Sequence, residues 1–255
     1  MFAVNQRQKL GFIRLEDIYY APEVQPPTGG HDAVYYFHCR EPGNNAREFC
    51  TLHIDLTCDE DSLFHSFNYQ TRKSIRKMTS FEDLEIRILD SPDAEELNRF
   101  SAYYNHFASI KHIQACSRRL LDELLLMQRL VIIKALVREE VLCQYVYIED
   151  EDRVVVYCGC TARLFDPVDK EKLQLICDSH RMLDFQAMLH FRRKGMRIFD
   201  FCGLVTENGQ PVCASVNQYK LGFGGKPVKE YHFMHPLTLQ GRIFCWAKAH
   251  RGGIG

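Results

Sequence analysis

Along the chain, stretches of period two alternate with stretches of period 3.6, so strands and helices come in mixed order. Residues 49–56 place Cys50, Leu52, Ile54 and Leu56 on one side, the pattern of a half-buried strand. Over 63–78 the period lengthens: Leu63, Phe64, Phe67, Thr71, Ile75 and Met78 share a stripe, which predicts one helix with Asp59, Asp61 and Ser62 as its acidic and capping residues. Arg72, Lys73, Arg76 and Lys77 fall on its opposite face. A strand is predicted over 84–89. Ser91 and Pro92 then read as N-cap and first residue of a helix carried by Leu97, Phe100, Tyr104, Phe107 and Ile110, and Ser117 opens the next helix.

Three β-rich runs follow, at 130–137, 141–147 and 154–160. The connectors Arg138-Glu139-Glu140 and Glu149-Asp150-Glu151-Asp152 are short and polar, which predicts an antiparallel meander. A long helix is expected over 179–194, closed by Gly195 as its C′ residue. Beyond it the pattern predicts a strand over 197–201, a short helix over 215–221, a strand over 228–234 and a last helix over 237–249. In residues 1–45, Pro22, Pro26, Pro27, Gly29 and Gly30 interrupt any period, and 33–37 alone reads as a strand.

Composition narrows the function classes. The 255 residues carry 32 Lys+Arg against 33 Asp+Glu, a net charge of −1, and 46% are hydrophobic. This excludes a disordered chain and a uniformly basic nucleic-acid binder. No apolar run approaches the roughly 18 residues of a membrane span, and the N-terminus has no signal-peptide stretch. The eleven cysteines are scattered, odd in number and free of any Cys-x-x-Cys pair, as expected for reduced thiols in a cytoplasmic protein.

Several motifs fail on spacing. Around Gly222-Phe223-Gly224-Gly225-Lys226, Lys220 stands where a phosphate loop needs its first glycine, and Pro227 where it needs Ser or Thr. His232/His235 and Cys177/His180 lack a second half, so no metal site is expected. Two strings stay in play. Asp200 is an acid inside the apolar run 197–201, and reads either as a structural carboxylate or as a group for chemistry. Tyr219 and Lys220 lead into a glycine-rich turn, and read either as packing and surface residues or as an acid and a cation.

Three strings, in order, resemble the Fem-type aminoacyltransferases within the GNAT-like acyltransferase superfamily. Tyr69 to Met78, after Leu52-His53-Ile54-Asp55-Leu56, is similar to that family's "R-x-x-I-R-K" helix after its opening strand. Arg197 to Gly203 is similar to its "Y-D-F-G-G" strand, with Phe199 for the tyrosine and Cys202 for the first glycine of the pair. Tyr219 to Gly225 resembles "F-K-x-x-F-G-G", with Tyr219 for the phenylalanine.

The resemblance implies an α/β (α+β) fold: a single GNAT-like domain over 46–250, with a mixed, mostly antiparallel sheet flanked by helices. Residues 1–45 would then be an extension packed on it, and 251–255 a flexible tail. It further implies transfer of an activated acyl or aminoacyl group to a primary amine, on a cell-envelope or polysaccharide precursor. Asp200, Tyr219 and Lys220 would be catalytic, and Arg72, Lys73, Arg76, Gly224 and Gly225 would hold substrate or phosphate. No tightly bound cofactor is implied. The donor would be an acyl-CoA, an acyl-carrier protein or an aminoacyl-tRNA, and the acceptor a small-molecule or nucleotide-linked amine. The acyl-CoA loop of ordinary GNAT enzymes is absent near 165–185. The competing readings are acyl-CoA- or carrier-protein-dependent acylation of an amino sugar or amino acid, and an inactive GNAT-like binding module.

Overall fold

A computed structural model describes residues 1–9, 11–24, 30–164, 169–207, 210–211 and 214–250. The N-terminal segment holds three strands where the pattern shows one: β1 (Phe2–Lys9), β2 (Ile13–Tyr19) and β3 (Ala33–Cys39). β4 (Arg47–Asp55) follows. The helix expected over 63–78 is broken into α1 (Glu60–Ser66) and α2 (Tyr69–Thr79). Asn68 breaks it: its backbone is extended, and its side chain accepts the Thr71 N–H at 2.8 Å, which caps a new helix. Asp59 caps α1 in the same way, accepting from Ser62.

After β5 (Leu84–Leu89), α3 (Ala94–Lys111) begins later than Ser91-Pro92 suggests, because Asp93 is the residue that accepts a free N–H, from Glu96 at 2.7 Å. α4 (Arg118–Leu126) is capped by Ser117 as expected. The meander is β6 (Leu130–Val137), β7 (Glu140–Asp150) and β8 (Arg153–Thr161). α5 (Lys170–Arg193) starts well before 179, since Asp169 accepts the Lys172 N–H and the helix runs on from there. The remaining elements are β9 (Ile198–Asp200), β10 (Thr206–Glu207), β11 (Gln210–Pro211), α6 (Ser215–Leu221), β12 (Lys226–Pro236) and α7 (Leu239–His250).

The chain divides into two compact units. The first comprises residues 1–51, 203–212 and 227–255, so β1, β2 and β3 belong to a unit that also contains α7. In it β1 and β2 are antiparallel, β2 and β3 parallel, and β3 and β12 antiparallel. Ile18, Val34, Tyr36, Cys39 and Phe233 form its core. Residues 251–255, expected to be a flexible tail, lie outside the described residues.

The second unit, residues 52–202 and 213–226, carries the strand order β4-β9-β8-β7-β6-β5. Only β8 and β9 run parallel there; the other neighbours are antiparallel. Helices α3 and α4 lie against β8 and β6, and α5 packs on β6, β7 and α2. Leu52, Ile132, Val146, Leu183, Phe191 and Phe199 are buried in its core. The architecture is mixed α/β, with a mixed, mostly antiparallel sheet flanked by helices. Cys143 and Cys160 are buried thiols of this unit, and Cys39 and Cys50 of the other. Among the described residues no helix is long and apolar enough to cross a membrane.

Candidate functional site

All the candidate site residues lie in the second unit. β9 is only three residues long, and it sets Asp200 between two strands: His53 of β4 is its register partner, and Val155 of β8 faces it on the other side. The Asp200 side chain is 0% exposed. Its Oδ2 is ion-paired with Arg153 at the start of β8, and His53 Nε2 lies 3.6 Å away. Its Oδ1 accepts the Cys202 N–H at 2.7 Å. That bond closes a turn in which Cys202 has φ +57°, a left-handed conformation that costs a non-glycine residue about 1–2 kcal/mol. This is the position at which the Fem-type string carries glycine. The Cys202 carbonyl in turn accepts from Lys220 Nζ at 3.1 Å. Asp200 and Lys220 are thus linked through one strained turn.

Tyr219 precedes Lys220 on α6, and its hydroxyl donates to Asp184 Oδ2 at 2.6 Å. Asp184 lies on α5 and is 1% exposed. His180, one turn earlier on α5, places Nε2 3.7 Å from the same oxygen. The His180 ring stacks on Tyr219 at 4.4 Å and 15°, and on Tyr145 at 5.1 Å and 17°. The Tyr145 hydroxyl and His180 Nε2 share a hydrogen bond. Gly159 is the cross-strand partner of Tyr145, and the ring lies over the space a Cβ there would fill. Arg181 sits over the Tyr219 ring at 5.3 Å.

Burial dominates the electrostatics. It pushes the Asp184 carboxyl up to about 7, although the Tyr219 hydrogen bond and the Lys220 charge pull it down. It holds His180 down at about 3, so the imidazole is neutral at ordinary pH. It keeps the Tyr219 phenol well above its usual range, hence protonated. Lys220 is lowered by burial, against the opposing fields of Cys202, Asp200 and Asp184. The cluster therefore offers a protonated phenol, a carboxyl that titrates near neutrality and a partly desolvated amine.

The other expected residues are distributed differently. Arg72 Nη1 donates to the His65 carbonyl at 3.0 Å and also to that of Phe67, tying α2 to the end of α1. Arg76 lies over the Phe64 ring at 5.3 Å, and Lys77 pairs with Asp178 of α5 at 2.8 Å. Lys73 is exposed. Three of the four cations thus contact neighbouring helices.

Gly225 has φ +82°, and a Cβ there would lie 2.6 Å from the His53 carbonyl oxygen. Its backbone passes against β4 where a side chain has no room. Gly224, at φ +75°, similarly faces the Ser66 carbonyl at 3.0 Å. Gly225→Ala is expected to cost about 2–4 kcal/mol, the sum of strain and forced displacement of β4, measurable as a lowered urea midpoint; an unchanged midpoint contradicts this packing.

Reading the sequence alone misses Asp184, His180, Tyr145 and Arg153. One signal was present: His180 and Asp184 stand at i and i+4 on a predicted helix, with Asp184 between apolar Leu183 and Phe185.

The fold is one also seen in FemX and in lysylphosphatidylglycerol synthetase domains. The chain matches the crystal structure of FemX with a TM-score of 0.58 at 11% identity, covering 79% of this chain and 63% of FemX. It thus spans less than two thirds of that structure. It also matches the C-terminal domain of a putative lysylphosphatidylglycerol synthetase from Agrobacterium fabrum, with a TM-score of 0.52 at 9% identity over 85% of this chain and 72% of that one. L-PGS from Bacillus licheniformis aligns at 0.51 and 11% identity, over 84% and 72%. At such identities the likeness is one of fold. No family model and no curated protein matches the sequence.

Proposed function

We propose that the chain is an N-acyltransferase that moves an activated acyl or aminoacyl group onto a primary amine, with a cell-envelope or polysaccharide precursor as acceptor. The observation that carries this reading is the convergence of Tyr219, Lys220 and buried Asp184 in a GNAT-fold unit. The neutral amine attacks the acyl carbonyl carbon. The oxyanion that develops is stabilised by the Lys220 ammonium. The proton released by the amine passes to the Tyr219 oxygen as the Tyr219 proton moves to Asp184 Oδ2, and the acid so formed protonates the departing alkoxide or thiolate. Asp200 is a positioning residue: paired with Arg153, it holds the Cys202 turn whose carbonyl anchors Lys220. Arg72, Lys73 and Arg76 are proposed to meet donor phosphates along α2, Lys73 and Arg76 foremost because they are exposed.

The reading fixes a pH dependence. Asp184 must be ionised to receive the proton, so kcat/KM rises about tenfold per pH unit below 7 and levels off above it. Stability runs the other way. A carboxyl raised from 3.8 to about 7 on folding contributes stability that is present below pH 3.8 and lost as the pH rises through 7. Asp184→Asn should therefore be inactive, yet more stable than the parent at pH 8. The test incubates the chain with acyl-CoAs, acyl-carrier protein and aminoacyl-tRNA against amine acceptors, and follows acyl transfer from pH 5 to 9. Turnover by Asp184→Asn with the acid limb unchanged overturns the assignment.

A further inference from the structure

In the first unit, α7 is seated by its inner face. Gly241 lies so close to the Asp32 backbone that a Cβ would overlap the carbonyl, and Phe244 and Cys245 pack, with Met234, on Ile13, Leu15 and Ala33. Thr238 donates to Asp32 Oδ1 at 2.9 Å and accepts the Gly241 N–H at 3.1 Å, which fixes the start of the helix. The outer face carries Leu239, Ile243 and Trp246, which are 73%, 61% and 63% exposed. Their i, i+4, i+7 spacing sets them in one stripe about 10 Å long. His250 continues the stripe, with its ring 4.5 Å from that of Trp246.

Charge identifies what covers this stripe. α7 has no acidic residue, and after Glu230 the sequence has no Asp or Glu at all while it carries Arg242, Lys248 and Arg251. In a chain of net charge −1 this segment is locally cationic. Arg242 is exposed beside the stripe, and Lys248 turns inward, its Nζ 5.5 Å from the centre of the Tyr35 ring. An apolar stripe ending in tryptophan, with Arg242 beside it on a helix free of carboxylates, matches the boundary of an anionic bilayer, where the indole sits among headgroups and a cation meets lipid phosphates.

We infer that the outer face of α7 docks in the plane of an anionic phospholipid surface, with Leu239, Ile243 and Trp246 entering the headgroup boundary. The inference is independent of the acyl-transfer reading, because it uses no residue of that site.

Trp246 is the single tryptophan of the chain and reports directly. The full chain is titrated with equimolar phosphatidylglycerol/phosphatidylcholine vesicles and with pure phosphatidylcholine vesicles. The expected result is a shift of Trp246 emission to shorter wavelength with the anionic vesicles, weakened by added salt. Leu239→Gln/Ile243→Gln, whose altered side chains face solvent, should keep the parent's far-ultraviolet dichroism and lose at least about tenfold in partitioning. Absence of a shift at saturating lipid overturns the inference, as does equal binding to both vesicle types. A lipid-free shift that grows with protein concentration, with dimers in sedimentation, also overturns it and assigns the face to a second copy of the chain.

Discussion

Replacing Arg153 by methionine lowers the unfolding free energy by about 3–5 kcal/mol, the expected result when one partner of a buried ion pair is removed. The Asp200 carboxylate has no exposed surface, and Arg153 is 4% exposed. Without the guanidinium, the buried Asp200 charge loses its ion-pair partner and keeps the neighbouring His53 and the Cys202 amide beside it. The chain then either protonates Asp200 or opens the turn that it closes. Arg153→Met/Asp200→Leu removes both charges and should recover most of the lost stability, because the desolvation cost disappears with the attraction. Urea unfolding of the two single variants and the double variant measures the coupling. If Arg153→Met unfolds within 1 kcal/mol of the parent, the pair does not hold the turn.

The second large effect is on turnover. Lys220→Ala should lower kcat by about 10²–10³-fold, the usual loss when a preorganised group stabilising an oxyanion is removed. Lys220 Nζ is anchored on the Cys202 carbonyl and needs no reorganisation as charge develops. Lys220→Arg is expected to rescue little, since a planar fork does not fit a point contact with one carbonyl. Asp200→Asn should show a milder fall in kcat, because it disturbs the turn and leaves the ammonium in place. Steady-state kinetics on the active donor found in the transfer assay decide this. Parent-like kcat for Lys220→Ala, with the unfolding midpoint retained, rejects the role of Lys220.

Much of the second unit was legible because its signals are local. The meander β6–β8 follows from three apolar runs joined by short polar connectors, and α6 occupies the residues its pattern predicts. The capped start of α4 likewise depends on one serine and a donor three residues on. Where local reading erred, a competing cap decided. Asn68 split one helix into two, Asp93 displaced Ser91-Pro92, and Asp169 began α5 early.

Residues 1–45, the strand at 33–37 apart, were illegible for a different reason. β3 takes its partner β12 from nearly 200 positions further along, and pairs with β2 in parallel, so no turn between neighbours announces either contact.

The candidate site divides along the same line. Asp200, Tyr219 and Lys220 stand out as polar groups in apolar or glycine-rich strings, and that much is a property of the chain's order. The partners that give them chemical character come from elsewhere: Arg153 from β8 for Asp200, the Cys202 turn for Lys220, and Asp184 from α5 for Tyr219. A carboxyl is ordinary in sequence and becomes a group titrating near 7 only when helices and sheet close over it and remove water. Period, caps and connectors act within a few residues and are therefore written along the chain. Desolvation and charge pairing depend on which distant segments meet, and only the folded packing decides that.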